Sequence, residues 1–467
     1  MALKIYSTLS NSKQEFVPLE EGKIRMYVCG MTVYDYCHLG HARVLVAFDV
    51  ITKYMRASGY DVTYVRNITD IDDKIINRAA DNGEAFTDLT DRFIAFMHED
   101  EKALGVARPD IEPRATAYID EIIAMTQNLI EKGYAYACDN GDVYYRVAKF
   151  EGYGKLSNKN PEELLAGARI ETGDIKEDPR DFALWKSANV DDVSWPSPWG
   201  AGRPGWHIEC SAMTKCCLGE TFDIHGGGPD LPFPHHENEI AQSEAANDKE
   251  FARYWMHAGA VRVDGEKMSK SLGNFFTIRE ILEKYHHEVV RYVLVRSHYR
   301  SPINYSEENL KTAKVELDRL YTGIRGYEHV KALDLCEFDD ENSHVKAFRE
   351  AMDDDFNTAL AISVLFEAVR ELNTATKQQA DNADDLAQVL KSMAATLGLL
   401  LENVDSYMQS GLGGAAISAE QIDTLIAERI QAKADRNFQR ADEVRDLLKE
   451  QGVVLEDGAG GTTWRRE

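Results

Sequence analysis

K-I-R-M-Y-V-C-G-M-T-V-Y-D-Y-C-H-L-G-H-A-R, residues 23–43, decides how this chain is read. Residues 23–28 form a hydrophobic run with the pattern of a strand. The apolar stretch 42–55 has the pattern of a helix, and H-L-G-H at 38–41 stands at the turn between them. A strand–turn–helix with a glycine and two histidines at the turn offers backbone N–H groups and imidazole donors to a phosphate. By spacing alone, H-L-G-H reads equally as a helix start with surface histidines. A second string, K-M-S-K-S at 267–271, puts two lysines and two serines in one loop, a natural clamp for a polyphosphate. Each string alone is weak. Both together, in this order, flanking a whole α/β region, are far less expected by accident.

Outward from that stretch, residues 22–115 alternate strand and helix: a strand at 24–28, a helix at 42–58, a V-T-Y-V strand at 62–67, an acidic turn, then helix from Lys74. Such alternation predicts a parallel sheet with right-handed crossovers. From Glu121 a helix runs to Lys132, and the aromatic-rich segment 134–147, broken by Asn140-Gly141, signals a hairpin. Gly, Pro and Trp clusters up to Trp199 mark an insertion. The sheet pattern resumes over 205–265, with a helix at 234–246 and a strand at 258–263. Residues 277–296 read as one helix, and 306–402 are helical throughout. There Leu310, Ala313, Leu317, Leu320 and Ile324 form an apolar stripe, and 353–365 begins with acidic caps. Gly411 to Gly414 reads as a linker before a small terminal module. The expected boundaries are 1–120 and 204–265 for the two sheet halves, 121–203 for the insertion, 266–305 for the lysine-loop region, 306–408 for a helical bundle and 418–467 for the terminal module.

A chain of 467 residues, 44% hydrophobic and 28% charged, has the composition of a soluble multidomain protein. It carries no run of membrane-spanning length and no secretory apolar segment at its start, so a cytoplasmic enzyme is the plain reading. Seven scattered cysteines argue against a disulfide framework and for a reducing compartment. A net charge of −26 repels nucleic acid, so any RNA contact must use local basic patches and weaken steeply with salt.

The longer strings carry a resemblance. M-Y-V-C-G-M-T-V-Y-D at 26–35, G-W-H-I-E-C-S-A-M at 205–213 and H-G-G-G-P-D-L-P-F-P-H-H-E-N-E at 225–239, with the two signature strings, resemble the cysteinyl-tRNA synthetases of class I. The similarity runs from about residue 2 to the C-terminus. It implies a Rossmann-like parallel-sheet catalytic domain split by an insertion, a stem-contact region at 266–305, a helical bundle and a small C-terminal anticodon-binding module. It also implies ligation of L-cysteine to tRNA(Cys) through a cysteinyl adenylate, with ATP, cysteine and tRNA(Cys) as partners, no membrane, and a monomer.

The resemblance carries roles onto residues. Cys29, Cys210, His235 and Glu239 match the ligands of one Zn²⁺ per chain. Read from spacing, only His235 and Glu239, at i and i+4, share a helix face, and buried cysteines serve as ordinary hydrophobes. Zinc explains how cysteine is told from near-isosteric serine: it lowers the thiol's pKa and binds the thiolate at about 2.3 Å. No editing domain is then needed. The amino-acid pocket takes Cys29, Gly30, Thr69 and Trp206, of which Thr69 and Trp206 read equally as turn and core residues. ATP, with Mg²⁺, takes His38, Gly40, His41, Gly226, Gly227, Gly228, Asp230, Lys267, Met268, Ser269 and Lys270. His38, His41, Lys267 and Lys270 serve catalysis by stabilising charge on the phosphates. The three glycines permit close backbone approach to adenosine, or make a simple loop. No G-x-S-x-G elbow and no Walker A string occurs, so esterase and P-loop readings fail. Among the other cysteines, Cys216-Cys217 is expected at a buried helix position and Cys37 in the core. Cys138 and Cys336 carry no signal.

Arg429, Lys433, Arg436 and Arg440 recur at intervals of four, three and four, which gathers them on one helix face, and Trp464 and Arg465 add an aromatic and a guanidinium. This set suits unpaired RNA bases, and equally a solvated amphipathic helix with acidic neighbours. Two other functions share parts of the pattern. One is a tRNA-independent ligase joining cysteine to an amino sugar, which has no use for the helical and basic C-terminal regions. The other is a zinc-dependent RNA-binding protein, which has no use for the two signature strings.

Overall fold

A computed structural model describes residues 2–159, 175–189, 192–268, 274–339, 341–410, 417–458 and 461–466. The chain opens with a hairpin, β1 (Lys4–Ser7) and β2 (Ser12–Glu15). Next come β3 (Lys23–Val28), α1 (Leu39–Ala57), β4 (Asp61–Arg66), α2 (Asp73–Asn82), α3 (Phe86–Ala103) and α4 (Ile119–Glu131). The inserted stretch folds as an antiparallel sheet in the order β5 (Ala135–Ala137), β6 (Val143–Tyr145), β7 (Phe182–Ser187) and β8 (Gly202–Pro204). The hairpin read at Asn140-Gly141 is β5–β6. Then follow α5 (Trp206–Leu218), β9 (Phe222–Gly227), α6 (Glu237–Asn247) and β10 (Ala252–His257).

The central sheet is parallel, in the order β10-β9-β3-β4. From β3 the chain moves to β4 on one side, and later from β9 to β10 on the other. The order therefore reverses between β3 and β9, and the crevice beyond the carboxyl ends of such a pair is where open α/β sheets bind ligands. Burial explains the composition: β9 is buried at all six positions and β3 at four of six, as expected for strands covered on both faces. α1 buries Leu39, Val46, Phe48, Val50 and Ile51, with Phe48 against Gly226 of β9, and its buried Asp49 pairs with Arg291.

Beyond the sheet, β11 (Val261–Val263) lies between β12 (Glu266–Lys267) and β13 (Ile303–Tyr305). The strand expected at 258–263 is thus only its second half, and the sheet strand β10 precedes it. The helix expected over 277–296 is two, α7 (Ile278–Leu282) and α8 (His287–Val295), because His286 caps a fresh start by accepting the Glu288 N–H. The remaining helices are α9 (Glu307–Gly323), α10 (Ser343–Met352), α11 (Thr358–Gln378), α12 (Ala383–Thr396), α13 (Val404–Ser410), α14 (Ala419–Ala434) and α15 (Phe438–Glu450). α9 buries its whole predicted stripe. The helix expected from Asp353 starts instead at Thr358, capped by Asn357, because Asp355 and Phe356 turn at positive φ. A terminal hairpin, β14 (Val453–Gly458) and β15 (Gly461–Arg466), closes over α14 and α15. The linker expected at 411–414 lies outside the described residues.

Candidate active site and metal centre

Cys29 follows the last residue of β3, and its N–H donates to the Gly226 carbonyl at the end of β9 (3.0 Å). It therefore sits at the reversal point of the sheet. Cys210 is in the second turn of α5, His235 in the wide turn before α6 and Glu239 in the first turn of α6. The four donor atoms lie within 4.8 Å of one another, all buried. Cys29 Sγ is 3.9 Å from Cys210 Sγ and 3.3 Å from Glu239 Oε1, which is 3.0 Å from His235 Nε2. The sulfurs are too far apart for a disulfide. Zn–S bonds of about 2.3 Å and Zn–N or Zn–O bonds of about 2.0–2.1 Å put tetrahedral S···S edges near 3.8 Å and mixed edges near 3.3–3.6 Å. The donor set fits one zinc ion.

Charge agrees. The hydrogen bond from the Cys29 thiol, acting against burial, brings Cys210 down to about 6, so one sulfur of the pair is anionic, while burial pushes Cys29 up. Burial opposes charge on Glu239 and on His235. His225 and His235 nevertheless hold Glu239 well below the usual carboxylate range, and Glu239 with Cys210 pushes His235 up to about 10. The pocket stores two anions around a proton on His235, the place of a cation.

Sequence reasoning missed a shell of histidines behind this set. His225 Nε2 holds Glu239 Oε2 at 2.8 Å, and His207 Nδ1 meets His235 Nδ1 at 2.9 Å. His236, His257 and Thr8 continue as a chain of 2.8 Å contacts. Cys29, His225, His236 and Glu239 also form a compact group. The set with both sulfurs is the better zinc site because thiolates are the softer donors. Runs such as H-H-E and F-D-I-H could have signalled them. Trp206, 38% exposed, stacks on His235 with centroids 4.1 Å apart. Thr69 is buried next to Glu209, whose fully buried carboxyl is raised well above the ordinary range by burial and by Cys210.

Across the crevice, the histidines of H-L-G-H cap α1. Gly40 N donates to His38 Nδ1 (3.0 Å) and His38 N to His41 Nδ1 (3.2 Å). Both Nδ1 atoms are acceptors, so the ring proton sits on Nε2 of each. Burial, then His38, keeps His41 well below its ordinary pKa, making it an uncharged donor at neutral pH. The chain after the lysine string runs antiparallel to this motif: Leu39 N donates to Phe276 O (3.2 Å), Ile278 N to Cys37 O (2.8 Å), and Phe275 packs edge-on to His38. Met268 lies beside Gly40. Lys267 belongs to β12, paired with Arg262. Ser269 and Lys270 lie outside the described residues.

Space above Gly226 is filled by Phe48, and space above Gly227 by Leu231 and His236, so protein packing alone leaves no room for a side chain at these two positions. The buried Gly228 lies against the side chains of the exposed Asp230 and of Val44. Cys216 is exposed and Cys217 half-buried, contrary to expectation, while the adjoining Leu218 is buried; Cys37 is buried as expected.

The family described as tRNA synthetases class I (C) catalytic domain matches residues 15–315, and the DALR domain family matches residues 347–402. A cysteine–tRNA ligase from Ectopseudomonas mendocina is 62% identical over 465 residues, covering 100% of this chain and 99% of its own. One from Azotobacter vinelandii is 61% identical with the same coverage. This chain belongs to the cysteine–tRNA ligases of class I. Among solved structures, Mycobacterium tuberculosis methionyl-tRNA synthetase in complex with methionyl-adenylate shares the fold, with TM-score 0.58 at 17% identity over 80% of this chain and 88% of that one. The full-length match to cysteine–tRNA ligases leaves the amino-sugar ligase unfavoured.

In this member of the family the C-terminal basic stripe is not one helix face. α14 ends at Ala434, the chain turns at Arg436 (φ +58°), and Asn437 caps α15, which carries Arg440. Arg429 is buried and forms a bidentate pair with Asp457 (2.9 Å for both bonds), which Lys433 joins at 3.1 Å. Trp464 is 5% exposed among Ile422, Val444 and Leu448 and donates to Asp423 (2.8 Å), so its ring faces are occupied. These two residues build the module's core. Lys433, Arg436, Arg440 and Arg465 remain at its surface.

Proposed function

We propose that this chain joins L-cysteine to ATP as cysteinyl adenylate, releasing pyrophosphate, and passes the cysteinyl group to tRNA(Cys), releasing AMP, with zinc on Cys29, Cys210, His235 and Glu239 selecting the amino acid. The observation that carries the reading is the meeting of these four side chains, at tetrahedral-edge distances, in the crevice that H-L-G-H faces. Zinc supplies a soft Lewis acid that favours a thiolate over a hydroxyl. His225 orients Glu239, and Trp206 and Thr69 wall the amino acid. His38 and His41 present Nε2 protons, with the positive end of α1 behind them, to the α- and β-phosphates. Lys267 and Lys270 neutralise the departing pyrophosphate, which Mg²⁺ accompanies. The cysteine carboxylate is itself the nucleophile, so alignment and charge stabilisation are all the protein adds. The surface cations of the C-terminal module, Lys433, Arg436, Arg440 and Arg465, approach the anticodon region. One chain carries every residue named, which suits a monomer. ATP, tRNA and a thiol-reducing pool coincide in the cytoplasm.

Cysteine-dependent ATP–pyrophosphate exchange and charging of tRNA(Cys) with labelled cysteine test this. Lys270→Ala is expected to lower exchange by 10²-fold or more, on the order of a lost charge-stabilising donor. Deletion of residues 418–467 is expected to spare exchange and abolish charging. Failure of the parent protein to exchange overturns the proposal.

A further inference from the structure

We propose that His286, His287 and Glu402 form a second site for a divalent transition metal, at the junction between the lysine-loop region and the helical bundle. The site is built from elements that contribute nothing to the first one, and it stands independently of the proposed reaction.

The three side chains offer donor atoms within 4.8 Å of one another. His286 Nε2 lies 3.3 Å from Glu402 Oε2, and His287 Nε2 lies 2.6 Å from Glu402 Oε1, with imidazole centroids 4.4 Å apart. Both nitrogens thus aim at one carboxylate, and tetrahedral N···N and N···O edges around zinc are about 3.3 Å. Two imidazoles and a carboxylate are the donors of Zn²⁺, Co²⁺ or Ni²⁺ and not of Mg²⁺ or Ca²⁺. Side-chain exposures of 10%, 30% and 33% leave a path for the ion and room for water to complete its shell.

The surroundings set the affinity. His287 Nδ1 is buried with no hydrogen-bond partner, so ligation through Nε2 moves the ring proton to a buried nitrogen that has no acceptor, which lowers the affinity. His286 Nδ1 accepts the Glu288 N–H at 3.3 Å as the cap of α8; ligation through Nε2 moves the ring proton to Nδ1 and gives up that long bond. The second site therefore binds more weakly than the first. The charges nearby balance: Lys314 pairs with Asp318, and the Glu288 carboxylate is taken by the Leu400 and Leu401 N–H groups. The Tyr407 ring of α13 packs edge-on to His286, and Arg466 of β15 donates to the Gln409 carbonyl. An ion here ties the start of α8 to the chain that leads into the C-terminal module.

The test uses untagged full-length protein carrying one equivalent of zinc, titrated with Co²⁺ and with Zn²⁺, reading bound metal and visible absorbance. The parent is expected to take up a second equivalent at least tenfold more weakly than the first, with a rise in Tm, and Mg²⁺ is expected to produce neither. His287→Ala and Glu402→Gln, which leave the His286 cap in place, are expected to lose the second equivalent and its Tm rise while keeping the first equivalent and cysteine-dependent exchange. Saturation of the parent at one equivalent overturns the site, as does a second equivalent retained by either variant.

Discussion

At the scale of the residue, the pocket depends on how closely two loops approach. Gly30 has no side chain because a Cβ there would overlap the Asn67 carbonyl, while its own N–H donates to Asn67 Oδ1 (2.8 Å). This contact holds the loop after β3 against the loop after β4, and with it Cys29 and Thr69. Gly30→Ala is expected to lower stability by about 1–3 kcal/mol, as overpacking does, read as a shift of the urea midpoint, and to weaken zinc retention in the same protein. Residue types also explain what could be read in advance. His235 and Glu239 are four apart, so helical geometry alone pairs them, but Cys29 and Cys210 meet only because β3 and α5 pack side by side. No local spacing encodes that, and the link came from resemblance to a family. The histidines behind them escaped notice because each lies on a different element, β9, α5, β10 and the turn before α6.

At the scale of the element, α1 shows one structural device serving two ends. Its capping box uses the histidines of H-L-G-H, so the atoms that start the helix also fix the tautomer that points Nε2–H outward. His41→Ala is expected to lower the rate of cysteine-dependent exchange by about 10²–10³-fold, the scale of one lost oxyanion donor, with a smaller loss of stability of about 1 kcal/mol from the cap. A kinetic effect no larger than the stability effect contradicts the donor role. Element boundaries were the least legible part of the sequence. A helical pattern over residues 277–296 hid the restart at His286, and the even spacing of Arg429 to Arg440 hid the turn at Arg436. In both places a polar side chain, His286 or Asn437, caps a new helix, a choice that periodicity cannot register. β10 was missed because strands buried on both faces lack alternation.

At the scale of the whole molecule, Asp355 joins the N-terminal hairpin to the helical bundle. Its carboxylate, fully buried, accepts from Tyr6 N (2.9 Å), Tyr299 OH (3.0 Å) and Arg300 Nε (2.8 Å), with His298 at 3.3 Å. Burial opposes its charge, but His298, the Tyr6 N–H and Arg300 prevail and depress its pKa below the usual 3.8. A depressed carboxylate contributes stability that is present above the unfolded-state value, about 4, and is lost as pH falls through the lower folded value. Asp355→Asn is therefore expected to cost about 1.5–3 kcal/mol at pH 7, and the gap from the parent is expected to close as melts move below pH 4. A gap independent of pH contradicts the charged role. The parallel sheet and the helical C-terminal half were legible from alternation and stripe patterns, since burial on a whole face leaves a periodic trace, whereas of the inserted antiparallel sheet only the hairpin at Asn140-Gly141 was. The proposed metal centre draws on residues 29, 210, 235 and 239, so it too belongs to the whole molecule. X-ray absorption at the zinc edge of protein holding one equivalent tests it most directly. Two sulfurs at about 2.3 Å with nitrogen or oxygen at about 2.0–2.1 Å are expected, rising to three sulfurs with cysteine and unchanged with serine. A shell without sulfur, or one that cysteine leaves as it was, contradicts the account.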